Sequence, residues 1–418
     1  MLLLKQIPKD LTCDSTLGFI KEGYLFISNR MKRLDTNLFS ARFLGKKVVF
    51  LMGKEAAELF YQEAFFQRKG VAPMRVQRTL FGKKAIQGLD GAQHKKRKSM
   101  FMSLLTPDYV DSLVQICHQN LERYAKQWEK QSSVNLYKES QKILFESVCQ
   151  WVSIPYQETK IEAYAEAFGL MIYGFGRIGK TYRRGKQARK EVEAWVKECI
   201  IAVRNGFLSV PSNSPIYRMS MYEEEGICKL PAQIAAVELI NMIRPVIAIA
   251  TYVTFEALAI KEHQSCVEQL RKCDPIYLEM FCQEVRRFYP FGPFVGAKVK
   301  FDFVWKRFYL KKNTLVILDL YGTNHDPHLW DEPNQFQPER FLSREKCLYD
   351  LIPQGGGDMH SGHRCAGDVL TVKIMQLFAD YLVNHLHYEV PKQNLHYSFK
   401  KIPTLPESGF VMRKVRRI

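Results

Sequence analysis

Residues 234–259 constrain this chain more than any other stretch. They are apolar over a length that would cross a bilayer, yet Glu238, Asn241, Arg244 and Pro245 interrupt them. Charges within a membrane span are costly, so no stable membrane insertion is expected and the stretch reads as the central helix of a large core. A core that encloses such a helix needs a long chain, and 418 residues supply it. Hydrophobic residues at 46% and charged residues at 25% are ordinary for a globular protein and exclude a disordered or collagen-like chain. Nothing rich in Pro, Gly or Ser marks a linker, and no internal repeat divides the sequence. One domain over residues 1–418 is expected, with an interior large enough to hold a cofactor.

The opening Met1-Leu2-Leu3-Leu4-Lys5 is too short an apolar run for a signal peptide or an anchor. Ten scattered cysteines lack the paired spacing of a zinc site, and without a signal most are expected to be reduced, buried thiols. A cytoplasmic location follows as the expectation. The formal charge is +18, with its densest patch at Arg177, Lys180, Arg183, Arg184, Lys186, Arg189 and Lys190. Such a patch reads equally as a solvated face or as an anion-attracting surface. Only Tyr182 interleaves it and no nucleic-acid module is present, so nucleic acid is discounted as a partner.

Period-two alternation over residues 38–52, around Gly45-Lys46-Lys47, predicts a β-hairpin. From about 105 to 270 the apolar spacing is helical, most clearly at 110–128, 134–151 and 191–205. A second β-rich region spans 295–320, with a turn at Lys311-Lys312-Asn313. Residues 361–388 begin as a loop and continue as a long amphipathic helix through Val369, Ile374, Leu377, Leu382 and Leu386. Pro403 to Pro406, followed by Gly409-Phe410-Val411-Met412, predicts a further strand pair. The fold class is mainly α, with small β-sheets at one side.

Chemistry concentrates in residues 354–367, where Gly355, Gly356, Gly357 and Gly362 surround Cys365 just ahead of a helix. Backbone N–H groups and the positive helix end are expected to favour a thiolate there. Taken alone, a buried structural cysteine is the better reading. Glu284-Val285-Arg286-Arg287 sets a carboxylate and a guanidinium three apart on one helix face. Phe336-Gln337-Pro338-Glu339-Arg340-Phe341 then offers Arg340 as the third member of a buried triad.

The order E-x-x-R, P-E-R-F, G-H-R-C-x-G resembles the cytochromes P-450, over essentially the whole chain. The resemblance implies the cytochrome P-450 fold, with haem b between the mid-chain helix and the cysteine loop. It also implies Cys365 as the axial thiolate and metal ligand. Two departures from the common pattern stand out. Asp358 and Ser361 replace a Phe and a Gly in the ligand loop, and Ile243-Arg244-Pro245-Val246 replaces the acid–alcohol pair that oxygen-activating members carry. A buried Arg244 needs an anion, and Glu238, six residues away on another face, is not expected to provide it. Pro245 is expected to kink the helix and open space.

These departures, with Phe291-Gly292-Pro293-Phe294 and Pro406-Glu407-Ser408-Gly409-Phe410, resemble the bacterial fatty-acid peroxygenase branch. That likeness implies hydrogen peroxide as oxidant, no redox partner, and a long-chain fatty acid whose carboxylate is clamped by Arg244 and serves as the acid–base group. Hydroxylation at the α or β carbon follows, with oxidative decarboxylation to terminal alkenes as a competing outcome. Gln87 falls beside haem and substrate, where a neutral amide favours hydroxylation over alkene formation. Arg68, His94, Lys98 and His363 are the candidate partners of the haem propionates. Phe81, Ile172, Phe175, Gly176, Phe291 and Phe294 are the candidate lining of the acyl channel. The competing functions are a conventional monooxygenase fed by external redox partners and a non-enzymatic haem-thiolate sensor.

Overall fold

A computed structural model describes residues 4–224 and 229–418. Met1, Leu2 and Leu3 of the opening apolar run, and Cys228 among the cysteines, lie outside the described residues.

The helical spacing translates into long helices packed on one another. Pro107–Trp128 packs against Leu136–Val152, and Ile161–Gly174 against Gly179–Arg204. Asn135, whose side chain accepts from Lys138 N–H, caps the second of these. The helix therefore starts after Val134, which with Asn135 joins a sheet instead. Through the middle runs Ala232–Ala248, continued after a single turn residue, Ile249, as Ala250–Glu262. Helical geometry persists through Pro245, and the break comes four residues later, where Ile249 N–H bonds back to Val246 C=O. Among the described residues this is the one helix long and apolar enough to cross a membrane, and 89% of its most apolar window is buried within the protein.

The hairpin forms as expected, Leu38–Phe43 against Lys46–Leu51. It continues into a five-stranded sheet through Leu315–Asp319, which runs parallel to the second strand, then Phe294–Val299 and Phe66–Gln67. Asn313 at φ 64° makes the turn expected at 311–313.

Two expectations near the C-terminus are corrected. The helix after the cysteine loop is Asp368–Asp380; a π-turn, Tyr381–His385, ends it, and Leu386 belongs to a strand, Leu386–Glu389. Val369, placed on its apolar face by spacing, is half exposed, while Leu370, Ile374 and Phe378 are buried. Nor do residues 403–406 form a strand, since proline lacks the ladder N–H. Val411–Arg417 instead pairs with Leu386–Glu389 and with Val134–Asn135.

The basic patch is corrected at one position. Lys180, Arg183, Arg184, Lys186 and Lys190 are exposed along Gly179–Arg204, but Arg189 is 2% exposed. Of the nine described cysteines, all unpaired, five are buried.

Candidate active site

The cysteine loop is held from two sides. Gly355 sits at φ 93°, where a side chain would be strained and would also meet the Tyr61 hydroxyl. Cys365 N–H donates to Gln354 C=O at 3.1 Å, and Gln354 Nε2 donates to Thr371 Oγ1 at 3.1 Å while lying 3.8 Å from Sγ. Arg286 fixes that amide by donating to Gln354 Oε1 at 2.8 Å, and also pairs with Asp368. Asp358 Oδ1 accepts from both the N–H and the hydroxyl of Ser361, so the two unusual loop residues lock onto each other. The expected thiolate-favouring environment is only partly present. Burial raises the Cys365 thiol above its usual range, outweighing the Gly367 N–H and the charges of Lys98 and Arg286 that act to lower it.

The four residues named for the propionates converge. Arg68 lies over the Phe60 ring and donates to Phe60 C=O, while its own N–H is held by Asp90. His363 Nε2 is 3.8 Å from the same Asp90, and its ring stacks on His94 at 3.9 Å. Lys98 Nζ donates to Arg364 C=O. Charge separates the four. Burial holds Lys98 at about 8 and Arg68 at about 10, so both remain cations near neutrality. Burial and the neighbouring cations push His94 down to about 4 and His363 to about 2. Burial and the neighbouring cations thus disfavour charge on both histidines.

On the central helix Arg244 is buried, with no salt-bridge partner among the described residues. Its Nε has no hydrogen bond, and Nη2 makes a long contact to Asn241 Oδ1 at 3.4 Å. Burial and the Arg189 charge lower it to about 9, with Cys365 acting the other way, so all three lie within electrostatic reach. Glu238 is no direct partner, as expected, but it is far from idle. It accepts from Arg97 Nη1 at 3.0 Å, from Ile86 N–H at 2.8 Å and from Asn241 Nδ2 at 3.2 Å. Gln87 follows Ile86 in a short 3-10 turn, and its Oε1 is buried with no partner. Pro245 follows Arg244 directly, inside the helix.

The candidate channel residues scatter more widely. Phe81 C=O accepts from Asn241 Nδ2 at 2.9 Å and lies near Arg189, which donates to Leu80 C=O at 2.8 Å. Ile172 is buried, and Phe175 packs with Tyr24, Tyr321 and Ile402. Gly176 lies so close to Ile402 C=O that a Cβ would stand 1.9 Å from it. Phe291 stacks on Tyr252 at 4.3 Å, and Phe294 meets Phe19 edge-on.

Sequence reasoning missed Arg189, Asn241, Arg97 and Tyr252. Arg189 was hidden in a basic run. Arg97 is 141 residues from Glu238, and no local spacing links them.

The donor set fits a haem. A cysteine reached by buried cations lies near a stacked histidine pair, and His94 Nδ1 and Arg364 Nε are buried without partners. Behind them stands the expected triad: Arg287 donates twice to Glu284 at 2.7 Å, and Arg340 Nε completes it at 3.2 Å.

Residues 259–414 match the cytochrome P-450 family. Cytochrome P-450EX alpha (CYP152N1) with myristic acid superposes at a TM-score of 0.96 and 38% identity, covering 99% of this chain and 100% of that one. The chain belongs to the cytochrome P-450 family. Cytochrome P-450SP alpha (CYP152B1) in complex with (R)-ibuprophen is 39% identical at TM-score 0.94, covering 97% of this chain and 99% of that one. A mutant of cytochrome P-450 OleT in complex with arachidonic acid is 37% identical at TM-score 0.96, with 99% of both chains covered. Cytochrome P-450 1A2 of Callithrix jacchus is 33% identical over 146 residues, 34% of this chain. That match spans only 27% of the curated relative's length.

Proposed function

We propose that this protein is a hydrogen-peroxide-dependent haem-thiolate peroxygenase, one domain over residues 1–418, acting on long-chain fatty acids. It hydroxylates the α or β carbon, with decarboxylation to terminal alkenes as a minor outcome, and needs no redox partner. Similar solved structures hold myristic and arachidonic acid, which supports the substrate class.

Cys365 would hold the haem through sulfur, with Arg68, Lys98, His94 and His363 toward the propionates. When bound, the haem supplies the iron at which peroxide is cleaved and from which oxygen reaches the substrate. The remaining work falls to the chain. Arg244 carries the reading, because a buried guanidinium with an unbonded Nε and no carboxylate partner lacks the anion that would stabilise it. A fatty-acid carboxylate provides that anion and accepts two parallel N–H bonds. Gripping that end fixes the first carbons of the chain and leaves the tail to the apolar residues. The grip also places a carboxylate able to carry a proton to and from peroxide, a group that residues 243–246 lack. Gln87, neutral at any working pH, adds polarity beside the first carbons without a titrating proton.

Purified protein given palmitate and peroxide, with no reductase, should form hydroxylated acid. Arg244→Ala should lose at least a hundredfold in rate while keeping haem content and the thiolate-type absorption of the carbon monoxide complex. An Arg244→Ala variant running at the wild-type rate would overturn the clamp and favour a conventional monooxygenase.

A further inference from the structure

The central helix carries a ladder of three polar side chains three residues apart, Glu238, Asn241 and Arg244, ending at Pro245. Of the three, only Arg244 keeps a buried polar atom, Nε, without a partner among the described residues. The first, 0% exposed, binds outward in two directions: to Arg97, itself held by Glu224, and to the N–H of Ile86, the residue before Gln87. The middle one spends its amide protons on Glu238 Oε2 and Phe81 C=O and turns its oxygen toward Arg244.

Those bonds fix the Asn241 amide in one orientation. Its nitrogen must face two acceptors, so its oxygen is left for the guanidinium. A flipped amide would set its oxygen against the Glu238 carboxylate and Phe81 C=O, acceptor against acceptor, and present N–H groups to Arg244. The same carboxylate therefore fixes the Gln87 turn directly, and Arg244 and Phe81 through one intermediary. Arg189 reinforces the unit by donating to Leu80 C=O, and a side chain at Gly82 would collide with it.

We propose that Glu238 is a positioning residue which, acting through Asn241, sets the orientation of Arg244 relative to Gln87 and thereby the α-to-β ratio of hydroxylation. The proposal rests on the fatty-acid reading above. Shifting a clamped carboxylate by a fraction of an ångström moves a different carbon under the oxidant, so regiochemistry reports the orientation more sensitively than total rate does.

Glu238→Gln keeps an acceptor for Ile86 but turns a donor toward Asn241; Asn241→Ala leaves the Arg97–Glu238–Ile86 contacts intact and cuts only the relay. Each haem-loaded variant is titrated with palmitate by its absorption shift, and its products are separated after peroxide addition. Both variants should weaken palmitate binding about tenfold and shift the α-to-β ratio at least threefold in the same direction. The double variant should match Asn241→Ala alone, because both substitutions break one path. If wild type neither binds palmitate nor hydroxylates it, the fatty-acid reading fails. If wild type does both and Asn241→Ala keeps the wild-type affinity and ratio, the relay is wrong, whether or not Glu238→Gln folds. Additive effects in the double variant would likewise overturn the relay.

Discussion

At Gln87 the chemistry turns on one functional group. Its buried oxygen has no partner among the described residues, so whatever stands opposite feels an amide that neither gains nor loses a proton near neutrality. Imidazole at this position would titrate in the working range and add an acid beside the first carbons of the substrate. Gln87→His is therefore expected to raise the alkene share of the products severalfold, read by gas chromatography after a peroxide-driven reaction. An unchanged share would mean that proton supply at this position does not govern the branch point. The residue scale also shows what a sequence hides. Cys365 and Arg244 were legible because a glycine-rich loop and a lone cation in an apolar run are local anomalies. Arg189 was not, since its six basic neighbours in sequence are partly or fully exposed and composition cannot say which member of a run turns inward. The direction of the Cys365 thiol was misjudged for a related reason: burial is set by distant packing, whereas helix ends and N–H groups are visible nearby.

Elements were legible where their signals are periodic. The hairpin over 38–52 and the helix Pro107–Trp128 follow from two-residue and 3.6-residue spacing, whereas of Gly179–Arg204 the spacing marks only the second half, from 191. Spacing failed beyond residue 380, where a π-turn redirects the chain into a strand while the apolar pattern runs on. The triad was legible throughout: Glu284 and Arg287 sit one turn apart on Pro275–Phe288, and the P-E-R-F run supplies Arg340. Its third member joins that helix to the loop before it: Arg340 donates to Glu284 and to the carbonyls of Asp331, Glu332 and Gln335. Arg287 and Glu284 are both 0% exposed, so removing one partner leaves a buried charge alone. Arg287→Ala should cost about 3–5 kcal/mol. Arg340→Ala leaves the inner pair intact and should cost less. Urea midpoints of the two variants check the order, and Arg340→Ala proving the more damaging would reverse the assignment of the inner pair.

At the scale of the whole molecule, several buried groups make stability depend on pH. Asp319 caps the short helix Leu320–Thr323 through Oδ1, while its Oδ2 is buried without a partner. Burial raises its carboxyl from 3.8 to about 7. Glu256, whose other contact is the Cys282 thiol, is held well above its usual range by the same cause. His325 runs the other way, burial and Arg287 lowering it to about 3. Between pH 4 and 6.5 the folded state holds carboxyl protons that the unfolded chain has released, which lowers stability as pH rises. Over the same window the unfolded chain holds protons on His325, His94 and His363 that the fold excludes, which raises it. The opposed slopes partly cancel. Above pH 6.5 the histidine contributions are flat while the buried carboxyls go on releasing protons from the fold, which lowers stability as pH rises. Asp319→Asn isolates the carboxyl contribution, because its amide oxygen can still cap Gly322 N–H. The variant should melt a few degrees above wild type at pH 8, and the gap should narrow as pH falls below 7 and close only near pH 4, where Asp319 of the unfolded chain is protonated as well. Melting curves across that range decide it: a gap of equal size at both ends would show that Asn packs better, and that Asp319 holds no extra proton.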